Sequence, residues 1–249
     1  MNNIENRAKI REMFISIQGE GHYIGVKQLF IRFCACNLRC YYCDTDFMPV
    51  NIHDKGSYFD FSPKELEEYL RANYDLDSIH SISLTGGEPL IWADFLKEFM
   101  PRVKVKYYLE TNATIADNLE KIIHNVDVIS ADIKLPSCSG IGDSFERHRK
   151  FFETVRNARV KCAIEKEFNC DNRNIFAKIV FDEFITDEEI DKCVELAQEF
   201  DLPLILQPRM IEDKFSVSSK FMQRVFEKFV SKHKDTRLIP QVHKFIDVE

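Results

Sequence analysis

Short runs of hydrophobic residues alternate along the chain with longer stretches in which apolar residues recur every three or four positions. The short runs are rich in β-branched and aromatic residues and predict strands, while the longer stretches predict helices. The predicted strands are 10–17, 28–33, 79–84, 103–109, 126–129, 176–181 and 202–206. The predicted helices are 62–73, 93–100, 116–124, 144–159, 187–200 and 219–232, and the tail 238–248 is predicted to be extended.

This alternation predicts the fold class. Repeated strand-then-helix units favour a parallel sheet with helices outside it. The units are too few for a complete eightfold barrel. We therefore predict an α/β fold, an open partial (β/α) barrel of about six parallel strands with outer helices, in a single domain over 1–249. Active sites in such sheets lie at the carboxyl ends of the strands.

Composition narrows the possible functions. The chain has 249 residues and a formal net charge of −7, a balance that disfavours direct binding to nucleic acid or to an anionic membrane surface. We find neither an apolar targeting segment at the start nor a stretch long enough for a membrane span. Four of the eight cysteines fall between positions 34 and 43. Such clustering indicates metal ligation in a reducing compartment, so we expect a cytoplasmic protein.

The clustered cysteines form the pattern C-x3-C-x2-C at Cys36, Cys40 and Cys43, within a loop predicted at 34–48. Thiolates hold iron–sulfur clusters. Three of them can bind three irons of a [4Fe–4S] cubane and leave the fourth iron open. An open iron can be chelated by the amino and carboxylate groups of S-adenosylmethionine (SAM).

Two other metal sites remain alternatives. Structural zinc prefers paired C-x2-C elements with four protein ligands, and only Cys40 and Cys43 have that spacing. A plain electron-transfer cluster needs a fourth cysteine, and Cys34 lies two residues before Cys36. Both residues would then have to reach one cubane within a very short span.

Three segments carry a resemblance to a known family. They are 14–21 (FISIQGEG), the cysteine loop through Cys43-Asp44-Thr45, and 85–89 (TGGEP). Together they resemble the radical SAM superfamily and, within it, the 7-carboxy-7-deazaguanine synthase family; 110–112, 206–208 and 241–244 extend the resemblance over most of the chain.

The resemblance implies a lyase reaction. The family converts 6-carboxy-5,6,7,8-tetrahydropterin to 7-carboxy-7-deazaguanine with loss of ammonia, in the biosynthesis of 7-deazapurines such as the queuosine of tRNA. Its cofactors are a [4Fe–4S] cluster, SAM and Mg²⁺. The resemblance also implies an external electron donor of the flavodoxin or ferredoxin type, and a homodimer.

The resemblance further implies roles for individual residues. Cys36, Cys40 and Cys43 are the expected cluster ligands, and Thr45 is the expected Mg²⁺ ligand. The expected SAM-binding residues are Tyr42, Cys43, Asp44, Gly87, Lys134 and Gln207. The expected substrate-binding residues are Ile17, Gln18, Gly19, Arg32, Thr85 and Glu249.

The chain departs from the family pattern at three places. The family's Ser-Pro-Lys segment is Asp132-Ile133-Lys134 here, so only the lysine matches. Arg209 and Met210 replace the usual Met-Asp, and the chain ends in Glu249 where the family often has proline.

Two charged residues have a structural and a functional interpretation. Arg32 lies in an otherwise apolar strand, where a buried guanidinium needs a partner. That partner is either a glutamate of the protein or the substrate carboxylate, which suits bidentate pairing. Glu20 is either a further substrate acceptor or an ordinary polar residue of the loop after the first strand.

Other functions and sites also remain open. A glycyl-radical-enzyme activase shares C-x3-C-x2-C, and a non-catalytic Fe–S redox module is the alternative outside this class. Cys138, Cys162 and Cys170 are weak candidates for an auxiliary cluster, because isolated cysteines are most often small buried hydrophobes. The stretch 209–237 is a candidate lid or dimer surface.

Overall fold

The computed structural model describes residues 6–43, 58–165, 175–211, 214–246 and 248. A nine-stranded sheet, in the order β11-β8-β7-β6-β5-β4-β2-β1-β3, forms the centre of the fold. Its strands are β1 (Ala8–Ile17), β2 (Lys27–Phe33), β3 (Phe59–Phe61), β4 (Ser81–Gly86), β5 (Tyr107–Thr111), β6 (Val128–Ile133), β7 (Ile175–Phe181), β8 (Leu204–Pro208) and β11 (Thr236–Leu238). A separate two-stranded ribbon pairs β9 (Met210–Ile211) with β10 (Lys214–Phe215).

Seven neighbouring strands of the sheet, from β2 to β11, are parallel. β1 and β3 extend the β2 edge in antiparallel pairing. The described strands pair in one linear order, so the sheet is open. The predicted class, an open α/β sheet with largely parallel strands, is confirmed, with seven parallel strands in place of about six.

Seven helices connect or flank the strands of the described chain. They are α1 (Pro63–Asn73), α2 (Ala93–Phe99), α3 (Ala116–Leu119), α4 (Pro136–Ser139), α5 (Phe145–Glu165), α6 (Asp187–Phe200) and α7 (Ser219–Val230). Within the residues searched, no helix combines the length and the apolar character that crossing a bilayer requires.

The core lies between the sheet and these helices. Every residue of β7 is buried, as expected of a strand covered on both faces. On α5, Phe145, Phe151, Phe152 and Val155 are all buried. The longest helix therefore contributes its phenylalanines to the hydrophobic core.

Capping boxes fix the starts of two helices. Ser62 Oγ accepts from Glu65 N, and the Glu65 carboxylate accepts from Ser62 N at 2.8 Å, which confirms the start predicted for α1. At α6, Thr186 and Glu189 form a second capping box. Each box satisfies backbone N–H groups that have no partner within the helix.

Two predicted elements are shorter in the structure. β5 begins at Tyr107 instead of 103, because Pro101 lies in a 3₁₀ turn and Val105 N bonds back to Val103 O at 3.0 Å. Helix 116–124 stops at Leu119 and resumes as a 3₁₀ turn at Ile123–Asn125.

The tail is also not uniformly extended. β11 occupies Thr236–Leu238, and a 3₁₀ turn follows at Val242–Lys244. The turn forms because Phe245 N bonds to Val242 O at 2.9 Å, while Val242 N is held by Gly19 O at 2.9 Å. The tail is thereby anchored beside the loop after β1.

His148 joins three elements inside the fold. It lies on α5 and is fully buried. Its Nδ1 lies 3.1 Å from Ala113 O, after β5, and its Nε2 accepts from Lys134 N, after β6, at 3.2 Å. These contacts require a neutral ring protonated on Nδ1. Burial lowers the pKa of His148 to about 4, more than the bond to Ala113 O raises it.

We predict that His148 makes the protein acid-labile. Its pKa is about 4 when folded and 6.5 in its ordinary environment, so the unfolded chain binds more protons across that interval. The free energy of unfolding should therefore fall as pH falls from 6.5 towards 4, by at most about 3 kcal/mol from this group.

Urea denaturation across this pH range measures the effect. His148→Gln should flatten the slope, whereas His124→Gln, at an exposed histidine, should retain it. An unchanged slope in His148→Gln would contradict the assignment.

Candidate functional site

A cavity of about 260 Å³ opens at the carboxyl ends of the parallel strands. All twelve predicted site residues that the structure describes line it: Ile17, Gln18, Gly19, Arg32, Cys36, Cys40, Tyr42, Cys43, Thr85, Gly87, Lys134 and Gln207. The predicted residues Asp44, Thr45 and Glu249 lie outside the described residues. The structure thus brings together residues from position 17 to position 207, while their roles stay predictions.

The cysteine loop begins with a tight backbone crossing. After β2 the chain turns at Ala35, which has a positive φ of 66°. The segment after β4 lies directly against this turn: Gly87 N donates to Phe33 O at 3.0 Å and Glu88 N donates to Ala35 O at 2.8 Å. A Cβ on Gly87 would lie 1.8 Å from Ala35 O. Only glycine fits this position.

The three cysteines face the cavity with increasing exposure along the loop. Cys36 and Cys40 are half-buried and Cys43 is exposed. Burial raises the pKa of the Cys36 and Cys40 thiols, and coordination to a metal would reverse that effect because a coordinating thiol is deprotonated. Leu38 N donates to Cys36 Sγ at 3.4 Å, a contact that favours the thiolate.

Cys34 is separate from this group. Its side chain is 2% exposed and does not line the cavity. Its backbone carbonyl accepts from Trp92 Nε1 at 2.9 Å. Among the described residues, three cysteines line the cavity, as the cubane prediction requires, and not the four of a plain electron-transfer cluster.

The described residues contain no group of three or more His, Cys, Asp or Glu side chains arranged around a single metal ion. A cubane makes a different demand, because each thiolate binds its own iron corner and the sulfurs need not converge. Of the proposed auxiliary-cluster ligands, Cys138 is buried beneath the cavity wall. Cys170 and the side chain of Cys162 lie outside the described residues.

The loop is also anchored from its far side. Tyr41 N donates to Ser139 O at 2.9 Å. The Tyr41 ring lies over Gly140, where a Cβ would lie 2.1 Å from it, and Gly140 has a positive φ of 71°. The C-terminal end of α4 therefore supports the cysteine loop by a contact that only glycine permits.

Two buried polar atoms in the cavity wall have neither a hydrogen bond nor an ion pair among the described residues: Tyr42 Oη and Gln207 Oε1. Leaving a buried polar group unpaired is costly. Both atoms belong to predicted SAM-binding residues, and SAM offers hydroxyl and amino groups of the required kind. The wall therefore fits SAM.

Glu88 links the ends of β4 and β5. It is fully buried, and its carboxylate accepts from Asn112 N and Thr111 Oγ1, both at 2.8 Å. Burial raises the pKa of Glu88 to about 7, against the effect of these bonds. Asn112 in turn donates to Asn37 Oδ1 at 2.8 Å, so Glu88 holds the strand end that supports the cysteine loop.

A second polar group lies in the cavity lining, on β5. Glu110, on β5, accepts from Gln18 Nε2 at 2.8 Å, Ser83 Oγ at 3.1 Å and Thr85 Oγ1 at 3.0 Å. Gln18 also donates to Gln28 Oε1 at 3.0 Å. Two predicted substrate-binding residues, Gln18 and Thr85, are thus oriented by one carboxylate.

Charged groups continue along the wall. Lys178 on β7 contacts Glu20 and lies 3.2 Å from Asp132 Oδ1, and Lys134 Nζ lies 2.8 Å from Asp132 Oδ2. Burial opposes the charge on Glu20, but the Lys178 ammonium outweighs it and lowers the pKa of Glu20 to about 2. Burial also opposes the charge on both lysines, and Asp132 raises the pKa of each.

Arg32 has the ion-pair partner that the structural interpretation requires. Its Nε lies 2.5 Å from Glu12 Oε1, across the β1–β2 pair. The side chain nonetheless lines the cavity and is 26% exposed. The ion pair confirms the structural interpretation and holds the guanidinium at the cavity wall, while pairing with a substrate carboxylate stays a prediction.

The tail closes the rim of the cavity. Gln241 Nε2 donates to Glu20 Oε1 at 2.8 Å. His243 packs so closely on Gly19 that a Cβ there would lie 2.3 Å from its ring. His243, from the segment 241–244 that extends the family resemblance, lies in the lining of the cavity.

The sequence prediction missed Glu110, Asp132 and Lys178 as residues of the cavity wall. Asp132 and Lys178 interrupt apolar strands in the way that Arg32 does. The argument applied to Arg32, that a charge inside an apolar strand needs a partner, could have found both. Their pairing depends on strand order, because Asp132 and Lys178 are register partners on β6 and β7.

Comparison with known proteins agrees with the family resemblance found in the sequence. Residues 30–197 match the model of the Radical SAM superfamily. The chain is 34% identical to the 7-carboxy-7-deazaguanine synthase of Archaeoglobus fulgidus over 245 residues, covering 97% of this chain and 99% of the relative. It is 35% identical to the enzyme of the same name from Geobacter sulfurreducens over 257 residues, covering 96% and 97%.

Solved structures match the fold. The crystal structure of QueE from Escherichia coli superposes with a TM-score of 0.55 at 20% identity, covering 95% of each chain. A radical SAM methyltransferase from Sphaerobacter thermophilus gives a TM-score of 0.55 at 12% identity, covering 86% of this chain and 66% of that one. At these identities the likeness concerns the fold alone.

We predict that Gly87→Ala displaces the cysteine loop, because its Cβ would overlap Ala35 O. SAM affinity and cluster retention should fall at least about tenfold, the effect of 1.4 kcal/mol. Gly142→Ala is the matched control, since a Cβ there meets nothing within 4 Å. Iron content after anaerobic reconstitution and SAM titration followed by EPR measure the outcome. Wild-type values in Gly87→Ala would contradict the role given to this crossing.

Proposed function

We propose that this chain, which belongs to the 7-carboxy-7-deazaguanine synthase family of the radical SAM superfamily, converts 6-carboxy-5,6,7,8-tetrahydropterin to 7-carboxy-7-deazaguanine with loss of ammonia. One observation carries the proposal. A single cavity has the three-cysteine loop on one side and hydrogen-bonding groups suited to a carboxylated heterocycle on the other. The product would enter the biosynthesis of 7-deazapurines such as queuosine.

Family membership brings the cofactors: a [4Fe–4S] cluster, SAM and Mg²⁺. Cys36, Cys40 and Cys43 would hold the cluster, and Tyr42, Gly87, Lys134 and Gln207 would hold SAM. The cluster and SAM together supply the radical that removes a hydrogen atom from the substrate. Asp44 and Thr45, assigned to SAM and Mg²⁺ by resemblance, lie outside the described residues.

The protein's own contribution is to bind and orient the substrate. The planar guanidinium of Arg32, fixed by Glu12, would pair with the pterin carboxylate. Gln18 and Thr85 would meet the ring edge. Glu110 already accepts three hydrogen bonds. A carboxylate has about four acceptor positions, so one remains for an N–H group of the ring.

Enclosure is the second contribution. The cavity lies beneath the tail, which is tied to the β1–β2 loop through Gly19 O and Glu20. Excluding water strengthens electrostatic interactions inside a site and protects reactive intermediates. Ile17 and Gly19, with Glu249 by resemblance, would complete the substrate-side wall.

Two interactions with other proteins belong to this proposal. An external donor of the flavodoxin or ferredoxin type would deliver the electron, and Cys43 and the 78%-exposed Tyr41 mark the accessible side of the cluster loop. A homodimer is expected by resemblance. The segment 209–237, in which the structure has β9, β10 and α7, is our candidate for a lid or for the dimer surface of this single-domain chain.

Anaerobic reconstitution tests the function directly. Enzyme supplied with the carboxylated pterin, SAM, Mg²⁺ and dithionite should release 7-carboxy-7-deazaguanine and ammonia, identified by mass analysis. SAM cleavage without this product would favour the glycyl-radical-enzyme activase. No SAM cleavage and no change of the cluster's EPR spectrum on adding SAM would favour the redox module.

Arg32→Ala tests the substrate carboxylate assignment. Removing one charge-assisted partner costs about 1.5–3 kcal/mol, so the KM for the pterin should rise about 10- to 100-fold while that for SAM changes little. Arg11→Ala is the control, because Arg11 is an exposed residue of β1 that does not line the cavity. A normal KM for the pterin in Arg32→Ala would remove Arg32 from the substrate site.

A further inference from the structure

One carboxylate connects the two halves of the cavity. Asp132 Oδ2 lies 2.8 Å from Lys134 Nζ, and Asp132 Oδ1 lies 3.2 Å from Lys178 Nζ. Lys134 belongs to the cofactor side, since its ammonium lies 5.2 Å from the centre of the Tyr42 ring. Lys178 belongs to the substrate side, since it contacts Glu20. All four charged side chains are at most 20% exposed, so solvent screens them little.

The Lys178 ammonium is shared unequally. It donates a hydrogen bond to Glu20 and forms only an ion pair with Asp132. Within the described residues, Asp132 Oδ1 accepts no well-aligned hydrogen bond, although it is buried. Asp132 therefore has acceptor capacity that its present contacts do not use. Glu20, in contrast, also accepts from Gln241 at 2.8 Å.

We propose that Asp132 is a positioning residue that couples the binding of SAM to the binding of the pterin. When Lys134 turns to SAM, Asp132 loses its closest partner and draws Lys178 onto Oδ1. Glu20 is then released to accept from N–H groups of the pterin. This inference rests on the proposed function, because it assigns Lys134 to SAM and Glu20 to the substrate.

The sign of the coupling follows from the charges. Loss of Lys134 leaves Asp132 a buried carboxylate with one partner, so its attraction for Lys178 grows. A Glu20 carboxylate without Lys178 is a stronger acceptor for the substrate. SAM thus tightens pterin binding, and the pterin tightens SAM binding by the same factor, because binding coupling is reciprocal.

Asp132 is also where the chain departs from the family's Ser-Pro-Lys segment. A serine carries no negative charge, so it could pair with neither lysine and could not link them. The coupling is therefore a property of chains that carry an acidic residue here, and Asp132→Ser should abolish it.

Calorimetry on the reconstituted holoenzyme tests the proposal. The cluster is kept oxidised, anaerobically and without reductant, so that SAM is not consumed. The carboxylated pterin is titrated with and without saturating SAM. We expect about tenfold tighter pterin binding with SAM in the wild type, within the usual range of coupling. The factor should be close to one in Asp132→Asn and Asp132→Ser.

Asp94→Asn is the matched control, because it removes a carboxylate from an exposed ion pair with Lys121. SAM should tighten pterin binding in this variant by the same factor as in the wild type. Equal pterin affinities with and without SAM in the wild type would overturn the coupling, and this arm requires no variant to fold. Coupling that persists in folded Asp132→Asn would overturn the assignment to Asp132. Wild-type enzyme that neither binds nor converts the pterin would instead overturn the proposed function, and the inference with it.

Discussion

The cavity depends on a contact between two backbone segments, Gly87 against Ala35. The loop after β2 and the loop after β4 share hydrogen bonds there, and the space between them excludes even a methyl group. Parallel pairing of β2 with β4 brings both strand ends to one edge of the sheet. The two hydrogen bonds at this contact then fix the orientation of the loop that carries the cysteines. Buried Glu88, one residue later, extends the same rigidity to β5.

Buried ion pairs hold the charged side chains in the rest of the cavity wall. Lys134 and Lys178 stay charged inside the protein because Asp132 and Glu20 lie beside them. A buried pair of this kind contributes little net stability, but loss of one partner is costly. The arrangement is therefore better explained by the ligands it orients than by stability. Two carboxylates of the wall also hold residues that the proposed function assigns to ligands: Glu110 accepts from Gln18 and Thr85 on the substrate side, and Asp132 pairs with Lys134 on the cofactor side.

Patterning predicted the α/β class and most elements, since buried strands and amphipathic helices are local properties of a sequence. It placed β5 four residues early, because the turns around Pro101 and Val105 contain the same apolar residues as a strand. The twelve described site residues came from motif spacing and resemblance. Asp132, Lys178 and Glu110 did not, because their partners lie on other strands and follow from register. His148 could not be predicted either, since its role depends on where α5 packs.

The hydrogen bond between Glu20 and Gln241 joins residues 221 positions apart. Closing so long a loop carries an entropic cost that must be met before the contact contributes, and such non-local contacts form late in folding. We therefore expect the cavity to be completed after the sheet, when the tail docks on the β1–β2 loop. Until that step, the cysteine thiols should lie at an open strand edge and be more accessible than in the folded protein.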